Sequence, residues 1–322
     1  MNELEALRDA VRSLLATGDD AWPRLAKEIG VAGLLIPEES GGAGAGLAEA
    51  CVVLEELGAV LSAAPMLGSA ILATQAILLT ENHDLLPELA SGEVTASLAW
   101  TDGNGRWEPE TVAFTAEDGR LTGEAHFVLA GDVTLALAHL TYGGIGLFRV
   151  DVSPEPVATM DETRPLGVLR LDHTPAEFIG APNVARLRDV ACVALAAEQT
   201  GAAARALQIT VDYVQTRVQF GRSIGSFQAI QHRLADLFVL VETARSAYLA
   251  ALDGRPDSAA VARVHCTEAL NAVAAQMIQL HGGIGITWEH DAHRYFKRAH
   301  SAAQLFGSAS AHLNRLESSA LS

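Results

Sequence analysis

Residues 184–217 read VARLRDVACVALAAEQTGAAARALQITVDYVQTR, 34 residues with no proline and a single glycine, Gly201. Alanine is the commonest residue of the stretch, and it loses no side-chain freedom in a helix. The stretch therefore predicts one continuous helix more than twice the average globular length, and helices of that length lie in bundles. Two further helical patterns follow at 226–252 (SFQAIQHRLADLFVLVETARSAYLAAL) and 257–282 (DSAAVARVHCTEALNAVAAQMIQLHG), opening on Ser226 and Asp257 as expected caps. A closing helix is expected from about His290 to Leu316, which makes 183–322 a four-helix bundle.

Upstream, the period changes. Between 93 and 182 short β-type runs such as TVAFTA, RLTGEAHFVLA, TLALAHL and IGLFRVDV alternate with Asp-Gly and Gly-Gly turns, and Pro154, Pro156, Pro165, Pro175 and Pro182 punctuate the second half. Residues 1–92 return to helix in LEALRDAVRSLL, WPRLAKEIGVAGLL and LAEACVVLEELGAVL, with a glycine-rich loop at Pro37–Gly46. The expected architecture is mainly α with a β domain: an N-terminal helical domain, a small middle β-barrel and the C-terminal bundle.

The charge balance is 22 basic against 39 acidic residues, net −17, which repels nucleic acid and anionic membrane over most of the surface. No apolar run approaches the roughly 20 residues that span a bilayer. The mixed-charge start MNELEALRDAVRSLL lacks a leader pattern, so the expected location is cytoplasmic. Cys51, Cys192 and Cys266 lack CxxC spacing and read as buried thiols, with no disulfide or metal site expected.

Two segments could carry chemistry. TRVQFGRSIGSFQAIQHR, at 216–233, brings Arg217, Arg222, Phe220 and two glycines to one bundle end, where arginine forks and a helix start can bind an anion. A plain turn with solvated arginines is the rival reading. MIQLHGGIGIT, at 277–287, supplies three glycines where one would cap the helix, as if something large packs on bare backbone.

Together, TRVQFGR, SFQAIQHRLAD and QLHGGIGITWEHD resemble the bundle domain of acyl-CoA dehydrogenases. WPRLAKEIGVAGLLIPEESGGAGAG and EELG are similar to that family's first domain. The resemblance implies that Arg217 contacts the FAD pyrophosphate of a neighbouring subunit, Phe220 packs on the adenine-nucleotide half and Gln228 lies beside them. Gln279, Gly282 and Gly283 match the segment touching the adenosine and pyrophosphate. Packing roles for Phe220 and Gln228, and a capping role for Gln279, are the alternatives. It also implies an acyl-CoA substrate, electron-transfer flavoprotein as acceptor and an oligomer, homo- or heteromeric.

The chain departs from the family where the chemistry sits. AQLFGSASAHLNRL places Gly307 at the usual glutamate position, and the second known base position falls on Ala191, beside Cys192. Neither can accept a proton. Asp189 is a weak substitute, since two residues along a helix turn a side chain by about 200°. Glu198 lies about two turns downstream, and Glu289 is expected to pair with Arg294 or Arg298. At 96–107, ASLAWTDGNGRW lacks the family's Thr-Glu-Pro element for the flavin ring.

These departures resemble the degenerate subunits of short actinobacterial heteromers, some acting on sterol side-chain CoA esters. The implied role is one subunit of a heteromeric acyl-CoA dehydrogenase with a second, catalytic subunit. A self-sufficient dehydrogenase with a non-standard base, a flavin monooxygenase and a non-catalytic acyl-CoA-binding partner are the alternatives. In AEQTGAAARAL the small residues either widen a cavity or tighten helix packing.

Overall fold

The computed structural model describes residues 3–18, 21–107 and 111–321, so Met1 and Asn2 of the amphipathic start lie outside the described residues. The chain divides into two compact units, one of residues 1–53, 63–194 and 305–307, the other of residues 54–62, 195–304 and 308–322.

The first unit begins with helices α1 (Glu3–Leu15), α2 (Ala21–Arg24), α3 (Leu47–Ala59), α4 (Thr74–Leu78) and α5 (Leu86–Ala90), the end of α3 belonging to the second unit. Strands follow as β1 (Ala96–Ala99), β2 (Phe114–Glu117), β3 (Arg120–Leu129), β4 (Val133–Leu140), β5 (Ile145–Val150), β6 (Glu155–Val157) and β7 (Leu166–Gly180). The pairings β4–β2, β2–β3, β3–β7, β7–β5 and β5–β4 close a ring, and Phe114, Leu121, Ala125, Phe148 and Leu169 are among the side chains of its core. Closure leaves fewer open edges for a neighbouring chain to pair with.

The proline-punctuated stretch hides the longest strand. β7 runs through Pro175, which stands opposite Arg120 of β3, and from Ala176 onward the strand pairs with β5 instead. A residue without an N–H is tolerated there because the ladder changes partner at that point.

The second unit holds the long helix α6 (Val184–Thr216), whose first turns belong to the first unit, with α7 (Gln228–Ala251), α8 (Ser258–His281), α9 (Ala292–Ala302) and α10 (Ala309–Ala320). Its core joins Ala203 and Leu207 of α6, Leu237 and Val241 of α7, Leu270, Val273 and Met277 of α8, and Tyr295 and Ala299 of α9. The expected single closing helix is two: Phe306 and Gly307 adopt φ of +57° and +98°, and Ser308 then caps α10 by accepting from the Ala311 N–H at 3.2 Å. Neither other expected cap forms. Ser226 donates to the Ser223 carbonyl at 2.7 Å within a 3-10 turn, and Asp257 accepts from Ser319 at 2.6 Å.

The small residues of α6 tighten packing. A Cβ on Gly201 would stand 1.9 Å from the Glu55 carbonyl oxygen, and one on Gly58 would stand 2.1 Å from that of Glu198. Both obstacles are backbone. Gly201→Ala should therefore destabilise the protein by about 1–3 kcal/mol through overpacking, read as a shift in the denaturant midpoint. No shift would mean that α3 and α6 do not approach so closely.

All three cysteines are buried and none is in a disulfide, and burial pushes Cys266 up to about 12. Among the described residues no helix is long and apolar enough to cross a membrane, and no cluster of metal-ligating side chains occurs.

Candidate functional site

Helix α6 ends at Thr216, and the Arg217 N–H donates to the Tyr213 carbonyl at 2.9 Å. The chain then makes a two-residue hairpin, β8 (Val218–Gln219) against β9 (Arg222–Ser223), turning on Phe220 and Gly221 with φ of +54° and +78°. Two positive φ values match the natural twist of such hairpins, but a phenylalanine there is strained. Its ring is 92% exposed, so it plays no part in a core of this chain. The ring touches Phe227 edge-on at 6.2 Å, and Arg222 covers Phe227 at 3.9 Å.

Arg217 is exposed and makes no side-chain hydrogen bond or ion pair among the described residues. Gln228 is the exposed first residue of α7, a helix that starts without a side-chain cap and without an acidic residue in its first turn. Its positive end is therefore open to an anion.

The glycine segment leaves α8 as a 3-10 turn, Gly282–Ile286. Gly282 needs its residue type, with φ +63° and ψ −141°. A Cβ on Gly285 would meet His281 at 3.1 Å and the Ile278 carbonyl at 3.3 Å. Gly283 has neither reason: its φ is ordinary and an added Cβ meets nothing within 4 Å. Bare backbone there faces outward, next to the exposed Gln279.

Tyr213 ties the two halves together. Its hydroxyl donates to the His281 carbonyl at 3.3 Å and its ring stacks on His281 at 4.3 Å, so the Arg217 turn and Gly282 share one end of the bundle. His281 is 4% exposed. Its Nδ1–H donates to the Met277 carbonyl at 2.7 Å, Nε2 has no partner, and burial holds the imidazole below its ordinary pKa, the Met277 bond opposing this and His290 adding to it. Neither Tyr213 nor His281 carries a signal in sequence that marks this role.

Neither of the two expected base positions, 191 and 307, holds a carboxylate. Ala191 is fully buried, and Gly307 lies in the break between α9 and α10. Asp189 pairs with the neighbouring Arg188 at 3.5 Å, and Glu198 accepts from the buried Arg298 at 2.9 Å. The expected ion pairs of Glu289 are not formed, because Arg294 turns one helical step back to Asp291 at 3.2 Å and Arg298 is committed to Glu198. Within the first unit Trp100, Trp107 and Phe306 pack together, with centroids 4.9–6.1 Å apart.

Comparison with known proteins adds the following. Residues 186–321 match the family model for the acyl-CoA dehydrogenase C-terminal domain, and residues 2–93 match that for the N-terminal domain. Acyl-CoA dehydrogenase IpdE2 of Mycobacterium tuberculosis is 43% identical over 97% of this chain and 90% of its own length. Among solved structures, the ChsE4-ChsE5 complex from Mycobacterium tuberculosis aligns with a TM-score of 0.89 at 28% identity, over 98% of this chain and 97% of that one. A variant of the Tcur3481-Tcur3483 steroid ACAD aligns at 0.88 and 31% identity, over 98% and 97%.

Proposed function

This chain belongs to the acyl-CoA dehydrogenase family, and from that premise we propose that it is the base-less, flavin-clamping subunit of a heteromeric acyl-CoA dehydrogenase. Members of the family are oxidoreductases acting on CH–CH groups and use FAD. The observation that carries the proposal is an asymmetry. One bundle end presents an unpartnered guanidinium, an uncapped helix start and a bare glycine, while both base positions hold residues that cannot take a proton. Two of the structural relatives also carry names with two components.

The residues present fit the phosphate and adenosine end of FAD. Arg217 would neutralise the pyrophosphate, the α7 N-terminus would add backbone N–H donors, and the smooth face of Gly283 would allow close approach. Phe220 would pack on the nucleotide, with Gln228 and Gln279 beside it. When bound, FAD supplies the acceptance of the substrate's β-hydride. Neither expected base position of this chain holds a carboxylate, so removal of the α-proton falls to a carboxylate of the partner subunit. Acyl-CoA is the substrate class, electron-transfer flavoprotein the acceptor and the cytoplasm the setting of this reading.

Arg217→Ala should weaken FAD retention in the assembled oligomer about ten- to a hundredfold, the effect of losing a charge-assisted contact of about 1.5–3 kcal/mol. Arg222→Ala should do far less, since Arg222 already lies over Phe227. Equal losses would remove the assigned role from Arg217. The proposal itself is tested by colour: the chain alone should purify without flavin and turn yellow only when co-expressed with a catalytic acyl-CoA dehydrogenase subunit. A yellow homo-oligomer would contradict it.

A further inference from the structure

Behind the glycine segment lies a cluster of three rings that the clamp itself does not use: Tyr213 on α6, His281 at the last position of α8, which stacks on Tyr213, and His290 in the loop before α9, tilted against His281. His281 stands 4.3 Å from Tyr213 and 4.2 Å from His290, centroid to centroid. A carbonyl only accepts, so the bond to Met277 puts the His281 proton on Nδ1 and leaves Nε2 as a lone-pair site with no donor, sealed from solvent. His290 is oriented as well, its Nδ1 accepting from the Ala292 N–H at 3.0 Å. The groups facing His281 are the Tyr213 phenol from α6 and the His290 imidazole. No carboxylate bonds to either imidazole among the described residues.

Protonating Nε2 would create a buried cation whose new N–H has no acceptor, beside a second imidazole. The cheapest relief is for the ring to leave the stack. His281 is the residue directly before Gly282, and its carbonyl is the one that Tyr213 holds. Leaving the stack removes the ring contact that holds this residue against α6, so that the glycine turn is tied there only by the bond from the Tyr213 hydroxyl to the His281 carbonyl.

We propose that His281 is a positioning residue for the Gly282–Gly283 turn, and that it holds the turn only as the neutral imidazole, so that acidification loosens this end of the bundle and with it the nucleotide. The link to the nucleotide rests on the clamp reading; the link between His281 and the turn does not. The sign follows from the environment. Burial depresses the native pKa below 6.5, so the open state binds the proton more readily. Stabilisation by the closed stack is present above pH 6.5 and is lost as pH falls below it. The change is at most about tenfold per pH unit, the limit for one proton.

The test is hydrogen exchange of the amides of residues 282–287, corrected for intrinsic rates, at about pH 7.5 and about pH 5.5. In the wild type, protection should drop at the lower pH. In His281→Gln, which cannot titrate, protection should be the same at both. Tyr213→Phe keeps the rings and loses the tie, so its protection should be lower at both pH values while the drop on acidification persists. Protection that ignores pH in the wild type, or that changes equally in His281→Gln, overturns the positioning role whether or not flavin binds. FAD retention by the assembled oligomer should follow the same pH course. Retention that stays flat while protection falls overturns the coupling to the nucleotide, and an oligomer that never binds FAD refutes the clamp reading while leaving the exchange result to decide on His281.

Discussion

Arg298→Ala should lower the unfolding free energy by about 3–5 kcal/mol, the cost of stranding one member of a buried ion pair. The guanidinium is 2% exposed; Nη1 donates to Glu198 of α6 at 2.9 Å, and Nη2 donates to the carbonyls of Leu61 and Ser62 at 3.3 Å. The last two lie just past the end of α3, where helix carbonyls lack partners of their own. Tyr295, one turn earlier on α9, donates to the Ala59 carbonyl at 2.6 Å, and burial pushes its phenol up to about 12. One helix thus closes the end of another through two side chains and reaches α6 through a third contact. Losing Arg298 leaves a buried carboxylate and two carbonyls to find other partners. Guanidinium melts of Arg298→Ala, Glu198→Ala and the double variant Glu198→Leu, Arg298→Met separate the terms. Each single change should cost far more than the double, because apolar replacement strands no charge. A loss below about 1 kcal/mol in both single variants would mean that the pair is solvated in practice.

Much of the fold is legible in the sequence because helix and strand periods are local. The alanine-rich pattern of 184–217 predicts α6 to within a residue of its observed end at Thr216. What misleads is the meaning of a single glycine or proline. Gly201 lies inside helix α6 because a carbonyl of α3 needs the space, whereas Gly307, with φ of +98°, lies in the turn between α9 and α10. Both stand in similar small-residue surroundings, and only the tertiary partner separates them. Pro175 reads as a strand breaker until β7 is seen to change partners there.

The candidate site divides in the same way. The 216–233 and 277–287 segments carry the resemblance by motif, and the chain belongs to the family to which they point. The roles given to Arg217, Phe220, Gln228, Gln279, Gly282 and Gly283 remain ours. The Tyr213–His281 tie joins residues 68 apart, so no local pattern reveals it. The expected partner of Glu289 failed for a simple reason: a helical arginine finds the aspartate three residues back before a carboxylate in the preceding turn.

Turnover by the chain alone is the most direct test of the central claim, that this subunit clamps a flavin and leaves proton abstraction to its partner. A positioned general base contributes typically about 10²–10⁴-fold, and on the reading proposed above both expected base positions lack one. Gly307 offers no side chain, Ala191 is sealed in α6, Asp189 faces Arg188 and Glu198 is held by Arg298. The chain, purified alone and assayed with excess free FAD supplied, should turn over acyl-CoA at well below roughly 1 s⁻¹, the low end for ordinary enzymes. Adding a catalytic subunit should restore the rate. Turnover above that value by the FAD-loaded chain alone would contradict the account, because some group within this chain would then be taking the α-proton.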